Sequence, residues 1–457
     1  MEIQKQPKFK ILMFPYLAHG HISPFLQLAK TLPTTNFTIY LCSTLINLNS
    51  IRANSETPSS IKLVELHVPP TPELPSELHT TKNLPSNLIR ALLKAFQASS
   101  PSFIEILNSI KPDLLIYDFF QPWAPKLASL NGIPSVYFST SGSTVFAYAH
   151  HVHSMGTGST FPFKTIHIPD FVEHKIWKEI KVLVKDADDD FSFGNLARSH
   201  DIVLVRSCRA LEQKYMDYLS VLCKKRIVPT GPLITDIPEA CDHNNYNIKD
   251  QKHSNIMKWL SEKGPSSTIY ISFGSEYFLS ETEIAEIAKG LQICRANFLW
   301  VIRLPHSEKI ADVEEKLPEG FLEAVKDRGM VTGKWAPQTR ILAHPSVGGF
   351  VSHCGWSSIT ESMYFGVPII GMPMKAEQPA NARLAVDVGT GIEVPKGKGR
   401  NYAGEELANA IDKVMKEDEF RVRAKRMSEK IKENAEREAN ETAEELLRIC
   451  MENKKQM

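Results

Sequence analysis

The chain carries almost no net charge: 53 Lys and Arg stand against 52 Asp and Glu in 457 residues, and no block of one sign dominates. That balance provides no electrostatic footprint for nucleic acid or an anionic membrane surface. Cysteine is sparse and odd in number, with Cys42, Cys208, Cys223, Cys241, Cys294, Cys354 and Cys450 scattered along the chain and no CxxC pair among them. A secreted disulfide framework and a zinc ribbon are therefore not expected, and reduced thiols in the cytoplasm fit better. No apolar run reaches the ~20 residues of a membrane span. The apolar stretch near the N-terminus, Ile11 to Phe14, is too short for a signal core and stops at Pro15. Gly20 belongs to no GxGxxG fingerprint, and no repeat of roughly 20–50 residues marks a solenoid or propeller.

What remains is ordinary globular composition, 42% hydrophobic and 23% charged, in a chain too long for one core. Short apolar runs alternate with helical patterns in both halves. In the first half the runs are Lys10–Phe14, Phe37–Cys42, Leu114–Tyr117, Ser135–Phe138 and Ile202–Val205. In the second they are Thr268–Phe273, Phe298–Ile302, Gly349–Ser352 and Val367–Gly371. Continuous rather than alternating apolar runs suit parallel strands covered on both faces, so two α/β doubly wound domains are expected. Ser280 and Glu283 form a capping-box pattern ahead of Ile284, Ile287, Ala288 and Leu291. The polar stretch 236–254 reads as a linker between domains at 1–235 and 255–434. In 435–457 an apolar stripe (Ala435, Ala439, Ala443, Leu446, Leu447, Cys450) predicts an amphipathic helix that needs a surface, expected to be the first domain.

Most chemical information lies between Trp335 and Gln378. The run His353-Cys354-Gly355-Trp356-Ser357-Ser358 is a strand end, a glycine turn and a helix start. The N–H groups of such a start carry partial positive charge and suit a diphosphate. Ser358 adds a hydroxyl. Glu361, three residues on, shares its helix face and has the oxygens to accept from two ribose hydroxyls. Trp335 offers a flat ring for a base. Near the N-terminus, Phe14-Pro15-Tyr16-Leu17-Ala18-His19-Gly20-His21 follows the first strand, and Asp118 follows the strand Leu114–Tyr117. Both are C-terminal strand edges, where doubly wound sheets place ligands. An imidazole there can take a hydroxyl proton near neutral pH, helped by a carboxylate that fixes its tautomer.

The 44-residue segment from Trp335 to Gln378 resembles the donor-site signature of plant UDP-glycosyltransferases that act on small molecules. The resemblance implies Trp335 at uracil, Gln338 and Glu361 at ribose, and His353, Ser357 and Ser358 at phosphate, with Ala336 and Gly355 among the donor-binding residues. It implies Trp356, Glu377 and Gln378 at the sugar, with Thr140 and Ser275 as further donor contacts. It also implies His21, rather than His19, as the general base and Asp118 as its partner. Ser357 stands where the family usually has Asn, and Glu377 where it has Asp; the first is a shorter donor, the second reaches one methylene further. Gln378 resembles the residue of glucose users. The implied fold is GT-B, two facing Rossmann-like domains with the active site in the cleft between them.

Further strings resemble one branch that extends sugar chains on glycosides: Ala18–Phe25, Leu78-His79-Thr80-Thr81, Tyr117–Pro125 and Ser272–Phe278. The resemblance thus implies inverting, metal-independent transfer of glucose from UDP-glucose to a hydroxyl of a triterpenoid, diterpenoid or flavonoid glycoside, β-1,2 or β-1,6 linked. No cofactor beyond that donor substrate, no nucleic acid partner and a monomer are expected. Glucosylation of an aglycone is the alternative, and a non-catalytic UDP-sugar-binding protein a more distant one. The acidic run Asp186-Ala187-Asp188-Asp189-Asp190 reads as a solvated turn rather than a metal site. His150, His151 and His153 lack the spacing of a ligand set. Cys354, inside the donor motif, reads as a small packing residue.

Overall fold

The computed structural model describes residues 8–53, 58–82, 84–156, 159–166, 168, 194–234, 254–275, 277–304, 313–397 and 401–456. Apart from Ser254, the stretch read as a linker lies outside these residues, as does the acidic run 186–190.

The chain divides into two compact units. The first comprises 1–159, 173–233 and 434–457, the second 160–172 and 234–433. In the first unit seven strands form one parallel sheet: β1 (Phe9–Phe14), β2 (Phe37–Ser43), β3 (Ile61–Glu65), β4 (Leu114–Tyr117), β5 (Ser135–Ser139), β6 (Ile202–Val205) and β7 (Arg226–Pro229). Their order is β3-β2-β1-β4-β5-β6-β7. The chain winds one way from β1 to β3 and the other way from β4 onward, so the topological switch point lies between β1 and β4. These two pair with Ile11 opposite Leu114 and Phe14 opposite Tyr117. Every residue of β4, β5 and β6 is buried, as continuous apolar runs require.

The second unit holds a six-stranded sheet of β8 (Thr268–Ser272), β9 (Asn297–Val301), β10 (Gly329–Thr332), β11 (Val347–Ser352), β12 (Ile369–Gly371) and β13 (Gly391–Glu393). The order β10-β9-β8-β11-β12-β13 puts its switch point between β8 and β11. The helix Glu281–Ile293 starts on a complete capping box, with the Ser280 hydroxyl accepting from Glu283 N and the Glu283 carboxylate accepting from Ser280 N.

The final helix runs from Asp418 to Gln456 without a break, so it begins well before the stripe that predicts it. Its last part belongs to the first unit, where Leu446, Ile449 and Cys450 are buried with Ile11, Phe25 and Leu114. Thr442 Oγ1 donates to Pro229 O at 3.2 Å, and Glu438, fully buried, accepts Arg209 N at 2.8 Å. The stripe's alanines are only half-buried, and the docking face is completed by polar groups such as Glu438. No helix among the described residues is long and apolar enough to cross a membrane.

Candidate functional site

At the first switch point, β1 ends in a short connection that starts the helix His19–Thr31, and Asp118 follows the end of β4. The parallel register brings the two ends level. His21 Nδ1 and Asp118 Oδ2 are 2.7 Å apart. Asp118 is 1% exposed, and its carboxylate is held by two backbone donors, Tyr16 N at 3.0 Å and Phe119 N at 2.7 Å. An ionised carboxylate only accepts, so the nitrogen facing it carries the proton and Nε2 carries the lone pair. Thr140, in the turn after β5, places Oγ1 3.2 Å from the same Nδ1. Tyr16 and Phe120 meet the imidazole edge to face, with ring centroids 5.7 and 5.6 Å away. The arrangement orients one imidazole tightly while its side chain stays 25% exposed.

At the second switch point, β8 leads into Gly274 and Ser275, and β11 into His353-Cys354-Gly355 and the helix Trp356–Phe365. His353 stands against both glycines. A Cβ on Gly274 would come within 2.7 Å of its Nε2, and one on Gly355 within 2.5 Å. Gly274 also has φ +78°, which favours glycine by itself. The imidazole's Nδ1 is buried with no hydrogen-bond partner among the described protein groups. Enclosure, reinforced by the Lys375 ammonium, pushes the His353 pKa down to about 4. The ring is therefore neutral at pH 7.

Cys354 takes a left-handed backbone, φ +64°, an unfavourable conformation for a residue with a Cβ. Two bonds hold it: its N–H donates to Ser352 Oγ at 3.1 Å, and its carbonyl accepts from Asn381 Nδ2 at 3.0 Å. This bend leads directly into the N-cap Gly355 and the helix Trp356–Phe365. The Cys354 thiol is fully buried, and burial pushes its pKa up, which suits a packing residue.

Across the first turns of that helix, Gln338 Nε2 donates to Glu361 Oε2 at 2.8 Å and to Ser358 Oγ at 3.2 Å. Glu361 and Ser358 are buried, whereas Trp335 is 56% exposed and presents its ring at the surface. Ala336 is buried beneath it in sequence, packed with Ile341 and Phe350. The Trp356 side chain is buried, and the residue opens the helix Trp356–Phe365, so it presents no open ring face. Gln378 is buried, and its Oε1 accepts from both Met374 N (2.9 Å) and Lys375 N (2.8 Å). That fixes the amide's orientation and leaves Nε2 as the group with which it would donate to a sugar hydroxyl. Glu377 precedes it as the N-cap of the helix Gln378–Asp387. Ser357 and Ser275 are less buried than Ser358.

The structure thus brings Gln338, Ser358 and Glu361 into one cluster, His353 with Gly274 and Gly355 into another, and His21 with Asp118 and Thr140 into a third. The hydrogen bond of Thr140 to the imidazole has no signature in the sequence, where its expected contact is the sugar. His151 is engaged structurally, with Nδ1 2.7 Å from Tyr218 Oη and Nε2 2.9 Å from Ser159 Oγ. Among the described residues no three His, Cys, Asp or Glu side chains converge as a metal site would need.

Two doubly wound parallel sheets, each with its polar residues gathered at the switch point, define a protein of the GT-B class. The family model for UDP-glucoronosyl and UDP-glucosyl transferase matches residues 85–436, and the chain belongs to that family. It is 45% identical to UDP-glucosyltransferase 29 of Panax ginseng over 455 residues, covering 98% of each chain. It is 43% identical to beta-D-glucosyl crocetin beta-1,6-glucosyltransferase of Gardenia jasminoides, covering 96% of this chain and 99% of that one. Among solved structures it is similar to Glycyrrhiza uralensis UGT73P12 complexed with glycyrrhetinic acid 3-O-monoglucuronide. That likeness has a TM-score of 0.81 at 22% identity, over 98% of this chain and 97% of the other. The chain is accordingly a UDP-sugar-dependent glycosyltransferase.

Proposed function

We propose that this enzyme transfers glucose from UDP-glucose to a hydroxyl of a small-molecule glycoside, forming a sugar-on-sugar β-1,2 or β-1,6 bond. The observation that carries this reading is the 2.7 Å bond between His21 and Asp118 in a chain of this family. His21 Nε2 takes the acceptor hydroxyl proton as the oxygen attacks the anomeric carbon. The new C–O bond forms as the bond from that carbon to the diphosphate breaks, and UDP leaves with the electron pair. Attack opposite the leaving group inverts an α-linked donor to a β-glycoside. Asp118 holds the Nδ1 proton and stabilises the imidazolium formed.

The departing charge is met by the start of the helix Trp356–Phe365, by His353 and by Ser358, with Ser275 nearby in sequence to β8. Gln338 and Glu361 hold the ribose, Trp335 the base, and Gln378, Glu377 and Trp356 the sugar. Transfer runs without a metal. The glycoside acceptor is supported by the named activity of the crocetin relative. A cytoplasmic setting is supported by the free thiols of the six described cysteines.

The test is product formation by mass spectrometry from UDP-glucose with matched aglycones and monoglucosides, with and without EDTA. A diglucoside from the monoglucoside, unchanged by EDTA and absent with His21→Ala, is the expected result. Product only from the aglycone would move the reading to aglycone glucosylation, and full turnover by His21→Ala would remove the base.

A further inference from the structure

Glu212 is fully buried in the helix Arg209–Cys223, far in sequence from every residue assigned to the site. It interrupts that helix, with φ −128° and ψ 16° in place of helical values. Both carboxylate oxygens are used. Oε2 accepts from Ser143 N at 2.9 Å, and Oε1 accepts from Thr144 N at 2.7 Å and Thr144 Oγ1 at 2.6 Å.

Those N–H groups open the helix Ser143–Met155, whose own N-cap is Gly142 and supplies no side chain. The cap therefore arrives from a different helix, and it arrives as a carboxylate. Burial pushes its pKa up, while the positive helix end and the donors favour the charged form. A serine or threonine at position 142 would cap the same helix locally at far lower desolvation cost. The cross-helix carboxylate does something a local cap would not: it fixes where this helix begins relative to the sheet.

The segment so fixed is the turn 139–142, between β5 and that helix. At its β5 end Ser139 O accepts from Arg206 N at 2.9 Å, and Ser139 Oγ donates to Ser141 O at 2.7 Å. At its helix end stands Glu212. Thr140, between the two anchors, is the residue that reaches the His21 Nδ1.

We propose that Glu212 is a positioning residue for the transfer reaction, setting the 139–142 turn so that Thr140 and Asp118 together fix the plane of the His21 imidazole. This rests on His21 acting as the base. Glu212 touches no substrate; it acts through Ser143 and Thr144 on Thr140. Losing it lets the turn relax and the ring tilt. Proton removal then slows, while UDP binding, assigned to residues of the second unit, is left alone.

Glu212→Gln keeps the shape but turns an N–H₂ toward backbone donors. Its kcat should fall roughly 10-fold or more, as misplacement by about an ångström does, with UDP affinity by calorimetry unchanged. Thr144→Val removes only the hydroxyl bond and should lower kcat in the same direction by a smaller factor. Should Glu212→Gln not fold, Thr144→Val takes its place in the decisive measurement, a double-mutant cycle with Thr140→Val. The effect of Thr140→Val on kcat should be strong in the wild-type background and weakened in the Glu212→Gln or Thr144→Val background. A folded Glu212→Gln with wild-type kcat, or a Thr140→Val effect of equal size in both backgrounds, overturns the proposal. Failure of the base assignment is separate, because it shows as turnover by His21→Ala.

Discussion

Gln338 and Glu361 meet at 2.8 Å although 23 residues separate them, the glutamine at the start of one helix and the glutamate inside the next. The carboxylate is thereby oriented before any ligand arrives. Gln338→Ala should weaken UDP binding roughly 10-fold, about 1.4 kcal/mol. Glu361→Gln should do the same, and the double variant should lose less than the product of the two. Calorimetric titration with UDP measures all three, and unchanged affinity in either single variant would remove that residue from the ribose site.

His353 ties acid stability to the second switch point. Its pKa is depressed from 6.5 to about 4 in the folded protein, so the unfolded chain takes up the proton first as pH falls. Its contribution is fully present above pH 6.5 and is lost as pH falls toward 4. The amount is on the order of 3 kcal/mol. His353→Gln should therefore show a flatter dependence of Tm on pH across this window than the wild type. Equal slopes would mean that the imidazole protonates in place.

The glycines that flank this ring give an independent prediction. Gly355→Ala puts a Cβ 2.5 Å from Nε2, so the imidazole must move. UDP affinity should drop by roughly 10-fold or more, the loss of one well-placed hydrogen bond to a charged group, with the fold retained by circular dichroism. Wild-type affinity in that variant would show that the ring's place is immaterial to phosphate.

Asp118→Asn keeps the shape of the pair but offers an amide where a carboxylate stood. Nδ1 can then be the unprotonated nitrogen, which puts the proton on the nitrogen meant to accept. Turnover should fall by about 10²- to 10⁴-fold with UDP affinity unchanged. Steady-state rates and UDP titration separate the two, and a loss confined to UDP affinity would contradict the role.

Leu446→Ala should destabilise the first unit by about 2–5 kcal/mol, because the side chain is fully buried in that unit's core. Denaturant unfolding reports it. A change within ~0.5 kcal/mol would mean that the final helix is an accessory to this core.

The sequence made the nine inner strands legible and missed the four others, and those four are the sheet edges. β3, β7, β10 and β13 each terminate a sheet. An edge strand is covered less completely, so it has no need of a continuous apolar run, and β10 has no fully buried residue at all. The donor segment stood out because its ligand-type residues lie within one short stretch of chain. The long final helix is legible only from Ala435 because its first half shows charge at almost every turn. Glu212 and Thr140 are illegible for another reason: hydrogen bonds between segments far apart in sequence, Glu212 to Thr144 and Thr140 to His21, leave no periodic trace, and a lone glutamate in a helical pattern reads as solvated surface.

The last helix sets an order for synthesis. Asn453 Nδ2 donates to Gly132 O across 321 residues of chain, and the apolar side of the nascent first unit awaits Leu446 and Ile449. While the ribosome is still making the second unit, the first has a hydrophobic strip that Leu446 and Ile449, encoded later in the chain, will cover. Loss of these late turns would leave the part of the first unit's core around Ile11, Phe25 and Leu114 uncovered.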